Sequence, residues 1–234
     1  MDNFISQGHW FYVAVMLIGA LYFYIQSREP KGVPKYEYMI AIFIPVWSAI
    51  AYFSIAAGQG FLEVSERTVY FARYLDWVFT TPLLLVALAF TAMYYTKKNI
   101  SIILSLVFLD VIMILTGLIA SLSESPLNYA WYSIGTVALL IIFYIVWVPL
   151  KNIAKKSDEK LYHHYRNVAL YLTLFWIGYP TAWLLGPSGL GIVSQSIDVT
   201  AFILLPIFSK VGFSIFDLKG LRDLEPQTIR QNKN

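Results

Sequence analysis

The segment VSQSIDVTAFILLPIFSKVGFSIFD, residues 193–217, decides the class of fold. A helix needs about 20 mostly apolar residues to cross the roughly 30 Å hydrocarbon core of a bilayer, and this segment is long and apolar enough to do so. It also carries Lys210 well inside its apolar part. A charged group at that depth costs about 3 kcal/mol or more, so we interpret the segment as a membrane span with a functional lysine.

Six further segments have the same length and apolar character. Backbone groups in lipid must be hydrogen-bonded within their own segment, so all seven are expected to be helices. The expected fold is an all-α membrane protein, a seven-transmembrane-helix bundle, with a short β-hairpin around 62–68. The polar run KNIAKKSDEK, residues 151–160, is expected to be a loop. The expected spans are about 8–26, 37–57, 69–92, 99–121, 127–149, 164–185 and 193–217.

Composition agrees with a membrane protein and excludes several other classes. Hydrophobic residues make up 58% of the chain and charged residues 13%, whereas soluble domains are typically about 25% charged. The net charge of +3 is small and the basic residues are not clustered, which argues against nucleic-acid binding. The chain has no cysteine, and His9 is far in sequence from the adjacent His163 and His164, so neither a metal site nor a cysteine nucleophile is expected.

Basic residues mark alternate connections, which predicts the orientation of the chain. One side holds only Arg67. The other side should face the cytoplasm, with the N-terminus outside and the C-terminus inside. Its basic residues are Arg28, Lys31, Lys35, Lys97, Lys98, Lys151, Lys155, Lys156, Lys160, Arg166, Lys219, Arg222, Arg230 and Lys233.

The chain divides into a seven-helix membrane domain, residues 1–220, and a cytoplasmic tail, residues 221–234. The first apolar run begins near His9 after a short polar lead without positive charge. A cleavable signal peptide would have a basic leader and a short apolar core, so this run is expected to be the first span.

Lys210 has two plausible fates. A buried lysine can pair with a carboxylate as part of the structure, or it can form a Schiff base with an aldehyde. In the third span, Asp76 and Thr80 are four residues apart and share one helical face, and Arg73 lies three residues before Asp76. A protonated Schiff base in a low dielectric needs an anion. Asp76 can supply that anion, and Arg73 can help to keep Asp76 ionised.

An aromatic stripe marks the sixth span. Trp176, Tyr179 and Trp183 recur at i, i+3 and i+7 and therefore lie on one helical face. Such a stripe is either an ordinary packing face or one wall of a slot for a flat conjugated ligand. Three more side chains would complete such a slot: Trp77, Met113 and Tyr132.

Several motifs resemble those of the microbial (type 1) rhodopsins: RYLDWVFTTPLL at 73–84, IMILTGL at 112–118, WIGYPTAW at 176–183 and SKVGF at 209–213. The resemblance covers the whole chain. It implies all-trans retinal bound as a Schiff base to Lys210, Asp76 as main counterion, and isomerisation by light to 13-cis. It also implies a multi-pass protein of a prokaryotic plasma membrane, usually a trimer. Besides Lys210, the residues implied to contact retinal are Tyr74, Trp77, Thr80, Thr81, Met113, Gly117, Tyr132, Trp176, Tyr179, Pro180, Trp183, Pro206 and Ser209.

Two positions indicate the kind of rhodopsin. Outward proton pumps of the family typically have a carboxylate where this chain has Ala87, so efficient outward pumping is not expected. Most of the family has a second aspartate counterion four residues before the lysine, where this chain has Pro206. That proline resembles the xenorhodopsin branch, which includes Anabaena sensory rhodopsin. The branch contains a light sensor and light-driven inward proton pumps.

Asp217 bears on the direction of transport. It follows Lys210 by seven residues, two helical turns or about 10 Å towards the cytoplasm, and on the same face. It can receive the Schiff-base proton, or it can be a solvated residue at a helix end. Asp110 is expected to bond to a neighbouring helix, and Asp198 to have a structural hydrogen-bonding role.

Three functions compete. We favour a light-driven inward proton pump, with the bilayer and protons as its partners. The alternative is a photosensor that signals to a separate, soluble or membrane transducer through its basic tail. A retinal-free membrane enzyme or receptor is the third, but no phosphate loop or nucleophile–base set supports it, so no enzymatic activity is expected.

Overall fold

Seven helices dominate the part of the chain that the computed structural model describes, residues 3–65 and 67–226. Each is long and apolar enough to cross a membrane, which confirms the expected bundle. Residues 227–234 of the expected tail lie outside the described residues. The helices are α1 (Asn3–Ser27), α2 (Lys35–Ala56), α3 (Phe71–Ala92), α4 (Ile100–Leu122), α5 (Leu127–Ser157), α6 (Glu159–Leu185) and α7 (Gln195–Arg222).

A short hairpin connects α2 with α3. Its strands are β1 (Leu62–Val64) and β2 (Arg67–Val69), which pair antiparallel with Leu62 opposite Val69. The hairpin expected around 62–68 is confirmed. It lies at the end of the bundle that we call the hairpin end. The opposite end, where Lys98, Lys156 and Lys219 lie, we call the basic end.

The expected loop at 151–160 is wrong. α5 continues to Ser157 and α6 begins at Glu159, so that Asp158 alone separates the two helices. Lysine, which occurs four times in this run, is a good helix former, and the helix can therefore continue beyond the apolar segment. Asp158 then caps α6, because its Oδ1 accepts from the backbone N–H of Leu161 at 2.9 Å.

The most enclosed helix is α3. In its most apolar window 67% of the residues are buried, against 50% in α7 and less in the other five helices. The outward faces of the bundle are apolar, as lipid requires: Ile18, Phe108 and Leu174 are each more than half exposed. Asp76 of α3 and the Lys210 and Asp217 side chains of α7 are buried, so these charged groups face the interior of the bundle.

α7 departs from regular helix around its lysine. Residues Ile207–Gly212 form a π-helical segment that directly follows Pro206 and contains Lys210. The carbonyl of Phe208 in this segment accepts from the Tyr171 hydroxyl of α6 at 3.0 Å. A second π segment, Val146–Leu150 of α5, has the same kind of partner, since the Tyr165 hydroxyl donates to the Val146 carbonyl at 2.6 Å. π segments are frequent at functional sites.

Candidate functional site

Lys210 is paired in the centre of the bundle. Its side chain and that of Asp76 are both fully buried, and Lys210 Nζ donates to Asp76 Oδ2. The same amine donates to Ser48 Oγ at 2.8 Å, and Ser48 in turn donates to Asp76 Oδ2 at 2.8 Å. The Tyr12 hydroxyl lies 2.7 Å from Ser48 Oγ. Four helices, α1, α2, α3 and α7, therefore meet at one charge pair.

Thr80 holds the second oxygen of the carboxylate. Its hydroxyl lies 3.1 Å from Asp76 Oδ1 and 2.8 Å from the Asp76 carbonyl oxygen one turn earlier. The spacing of four residues predicts that these two side chains lie on one helical face, and their contact confirms it. With Ser48 and Lys210 on Oδ2 and Thr80 on Oδ1, both oxygens of the buried carboxylate accept hydrogen bonds.

Arg73 has a different direct partner from the one that its spacing suggested. Its Nη1 pairs with Asp198 Oδ2 at 3.3 Å, rather than with Asp76. The guanidinium also lies 4.4 Å from the ring centre of Tyr70 and 5.0 Å from that of Phe202. Nε and Nη2 have no hydrogen-bond partner among the described residues. Asp198 thus has a structural partner, and the pair forms a second charge layer on the hairpin side of Asp76.

A largely apolar cavity adjoins the charge pair. The aromatic stripe of α6 forms one wall, so Trp176, Tyr179 and Trp183 line a cavity and are not only a packing face. The cavity wall contacts the residue next to Lys210, because the Tyr179 hydroxyl lies 2.8 Å from Ser209 Oγ. The predicted residues that line it are Tyr74, Trp77, Thr81, Met113, Gly117, Tyr132, Trp176, Tyr179, Pro180 and Trp183.

Four predicted contact residues do not line this cavity. Lys210 is turned towards Asp76 and Ser48, Thr80 towards Asp76, and Ser209 towards Tyr179. Pro206 is buried one turn before the lysine. Five lining residues were missed because their types carry no chemical signal in sequence: Ile114, Gly135, Thr136, Leu139 and Phe202.

The wall next to the cavity contains Asp110, as expected for a carboxyl that bonds to a neighbouring helix. Asp110 is fully buried, and Thr81 Oγ1 donates to its Oδ2 at 2.6 Å. Its Oδ1 has no partner among the described residues. Thr81 itself lines the cavity, so this hydrogen bond connects Asp110 to the cavity wall.

Asp217 is buried, and the solvated helix end considered for it is wrong. Only 3% of the residue is exposed. Thr91 of α3 donates to its Oδ1 at 2.8 Å, and His164 Nε2 of α6 lies 3.2 Å from the same oxygen. The pattern of apolar residues could not predict the His164 contact, because it depends on how α6 and α7 are rotated about their axes.

These residues fit retinal, the group that the motifs imply. A fully buried lysine amine lies beside a fully buried carboxylate. The cavity wall includes Trp77, which follows Asp76 in α3, and Tyr179, which contacts Ser209 next to Lys210. Its mostly apolar and aromatic lining suits a flat apolar ligand.

Comparison with known proteins shows the family to which the chain belongs. Residues 3–224 match the family described as bacteriorhodopsin-like protein. A bacteriorhodopsin from Haloterrigena sp. is 38% identical over 226 residues, which cover 92% of this chain and 88% of that protein. The structure of a cyanorhodopsin from Calothrix sp. superposes with a TM-score of 0.88 at 26% identity, covering both chains completely. The light-driven proton pump from Coccomyxa subellipsoidea gives a TM-score of 0.85 at 28% identity, covering 94% of this chain and 97% of that one.

Proposed function

The chain belongs to the bacteriorhodopsin-like family of microbial rhodopsins, and on this premise we propose that it is a light-driven inward proton pump of the xenorhodopsin branch. Retinal, bound through Lys210 Nζ, would supply the absorption of light and the change of shape that follows. The residues around Lys210 and Asp217 would supply the direction in which the proton moves.

The placement of buried carboxyls around Lys210 is the observation that supports inward proton transport. On the basic side, α3 has the apolar Ala87, where outward pumps have a carboxylate, and α7 has Asp217. Asp217 is buried and held by Thr91 and His164, so it is a formed site and not a loose surface group. A buried carboxylate on this side can accept a proton from Lys210 Nζ, directly or through water.

The positive-inside rule predicts which end of the bundle faces the cytoplasm. Lys98, Lys156 and Lys219 lie at the basic end, so this rule favours a cytoplasmic basic end, with the N-terminus outside and the C-terminus inside. A proton that moves from Lys210 towards Asp217 therefore moves inward.

Asp76 would hold the charge of Lys210 before light and help to return a proton afterwards. Its two oxygens are occupied by Ser48, Lys210 and Thr80, which fixes the carboxylate against the amine. Beyond it, the Arg73–Asp198 pair lies on the outer side. Pro206 occupies the position at which most of the family has a second aspartate counterion. The negative charge that would attract the Schiff-base proton towards the outer side is therefore smaller.

The proposal also includes the assembly and the location of the protein. We propose a trimer in a prokaryotic plasma membrane, as is usual in the family, and we assign no enzymatic reaction. A photosensor with a separate transducer remains the alternative, and it predicts a coloured, photocycling protein that moves no net charge.

The proposal is tested by light-induced pH changes in unbuffered suspensions of cells that express the protein with retinal. Inward pumping predicts alkalinisation of the medium that a protonophore abolishes. Acidification would mean outward pumping and would contradict our interpretation of Ala87. A coloured protein without any pH change would favour the sensor.

Asp217→Asn tests the acceptor. The amide keeps the size of the side chain but cannot take up a proton, so we expect inward transport to fall by about 100-fold while the absorption band remains. Asp223→Asn is the matched control, because Asp223 is an exposed carboxylate near the end of the same helix, and it should leave transport unchanged. Wild-type transport in Asp217→Asn would remove Asp217 from the pathway.

A further inference from the structure

His164 joins Asp217 of α7 to α6. The imidazole comes from α6, and its Nε2 lies 3.2 Å from Asp217 Oδ1. The side chain of Asp217 is 4% exposed and that of His164 is 10% exposed. The imidazole is therefore the more exposed partner of the pair, and it lies five residues after Glu159, where α6 begins.

Packing fixes the ring of His164 in this position. Gly220 of α7 has no side chain, and a Cβ atom there would overlap the His164 ring. The ring of Phe216 meets it edge-on, with ring centres 6.2 Å apart and planes at 85°. The contact with Asp217 is thus part of a packed helix interface and does not depend on a freely rotating surface side chain.

The other groups near Asp217 are buried and do not offer an exit for a proton. Glu37 of α2 is near enough to interact electrostatically with Asp217, but only 2% of it is exposed. Thr91 donates its hydroxyl hydrogen to Oδ1 from the buried side of α3, where the threonine is fully buried. Ala87, one turn earlier on α3, has no polar atom in its side chain. Among the groups that contact the Asp217 carboxyl in the described residues, only His164 can both accept and release a proton.

We propose that His164 carries the proton from Asp217 to cytoplasmic water, an inference that rests on the proposed inward transport. The proton on Asp217 Oδ1 passes to Nε2, and the imidazole gives up the proton of Nδ1 to water. The carboxylate is then ionised again. One proton enters the ring and one leaves it, so the imidazole is left in its other tautomer. Exchange of the ring protons with cytoplasmic water restores the first tautomer before the next cycle.

The adjacent histidine supplies a matched control. His163 has the same chemistry and the same helix, but its side chain is 55% exposed and its nearest acid is Glu159 at 3.9 Å. If a histidine near the cytoplasmic surface were sufficient, the two positions would behave alike. The proposal assigns the transfer to His164 alone, because only His164 contacts Asp217.

The test follows proton arrival and proton departure separately after a flash, in the full chain with retinal in lipid vesicles. The carboxyl band of Asp217 in time-resolved infrared spectra reports arrival, and a pH dye on the cytoplasmic side reports departure. In His164→Gln we expect arrival at the wild-type rate and departure slowed by about 100-fold. Added imidazole, a small proton carrier, should restore departure. His163→Gln should leave both steps unchanged.

Two outcomes overturn the proposal. Departure at the wild-type rate in His164→Gln, or in His164→Asn if only that variant keeps the absorption band, removes His164 from the pathway. Slow departure that imidazole does not restore assigns His164 a structural role only. The wild-type protein is measured first. If it never releases protons on the cytoplasmic side, that result overturns the proposed inward pump itself.

Discussion

Ser48 links the lysine and the aspartate of the central pair. Its hydroxyl accepts from Lys210 and donates to Asp76, and the Tyr12 hydroxyl lies against it on the far side. Loss of this buried hydroxyl removes one hydrogen bond from Lys210 and one from Asp76, and it leaves the Tyr12 hydroxyl without this partner.

Ser48→Ala should therefore destabilise the protein by about 1–3 kcal/mol, the usual cost of leaving a buried polar group unsatisfied. Unfolding in sodium dodecyl sulfate, followed by circular dichroism, would measure the change. Ser101→Ala, at an exposed position of α4, is the control and should shift the transition little. Equal stability of the two variants would show that Ser48 contributes nothing particular to the pair.

Lys210→Ala should abolish the visible absorption band after reconstitution with retinal, because the covalent link needs the amine. Lys219→Ala, at an exposed position of the same helix, should keep the band. A coloured Lys210→Ala protein would contradict the assignment of the linkage and would reopen the retinal-free alternative.

At the scale of helices, α6 is tied to both of its neighbours by tyrosine hydroxyls. Tyr165 donates to the Val146 carbonyl in the π segment of α5, and Tyr171 donates to the Phe208 carbonyl in the π segment of α7. A π segment leaves carbonyls in poor register with the helical ladder, and these hydroxyls supply partners for them. α6 is consequently positioned against the segment of α7 that contains Lys210.

Tyr165→Phe should lower the free energy of unfolding by about 1–2 kcal/mol, since it removes the buried partner of Val146 and keeps the ring. Tyr162→Phe, one turn earlier on the half-buried side of α6, is the comparison. The prediction fails if both variants unfold at the same detergent concentration as the wild type.

Sequence patterns predict such elements well where one rule dominates. Apolar length places all seven helices, and spacing along one helix places Asp76 with Thr80 and brings Trp176, Tyr179 and Trp183 onto one wall. Patterns fail where two influences compete: the lysine-rich run at 151–160 is polar, yet its helix propensity and the cap at Asp158 make it helical.

Contacts between helices are harder to predict from one sequence. The pairing of Arg73 with Asp198, of Asp217 with His164 and of Lys210 with Ser48 joins residues far apart in the chain. Their identity depends on the rotation and tilt of packed helices, which local periodicity does not determine. The missed cavity residues Gly135 and Leu139 have the same cause.

At the scale of the whole molecule, the bundle is polar along its axis and asymmetric between its ends. The Arg73–Asp198 pair, the Lys210–Asp76 pair and the Asp217–His164 pair follow one another from the hairpin end to the basic end. Ala87 is the apolar position on α3 between the second and the third pair. In the proposed transport, a proton moves inward along this order, from the Lys210–Asp76 pair to the Asp217–His164 pair.

The orientation can be tested directly, because the chain has no cysteine of its own. A cysteine at the exposed Leu62 of the hairpin should react with a membrane-impermeant maleimide in intact cells, and one at the exposed Lys156 should react only after the cells are opened. The reverse pattern would invert the topology and, with it, the direction assigned to every proton step.

The most direct measurement of the central claim is the sign of the light-induced current at zero membrane potential, in cells that express the protein with retinal. The account predicts a steady current that carries positive charge from the outside to the cytoplasm, and its loss in Asp217→Asn. A steady current in the opposite direction, or a photocycle without any steady current, would contradict it.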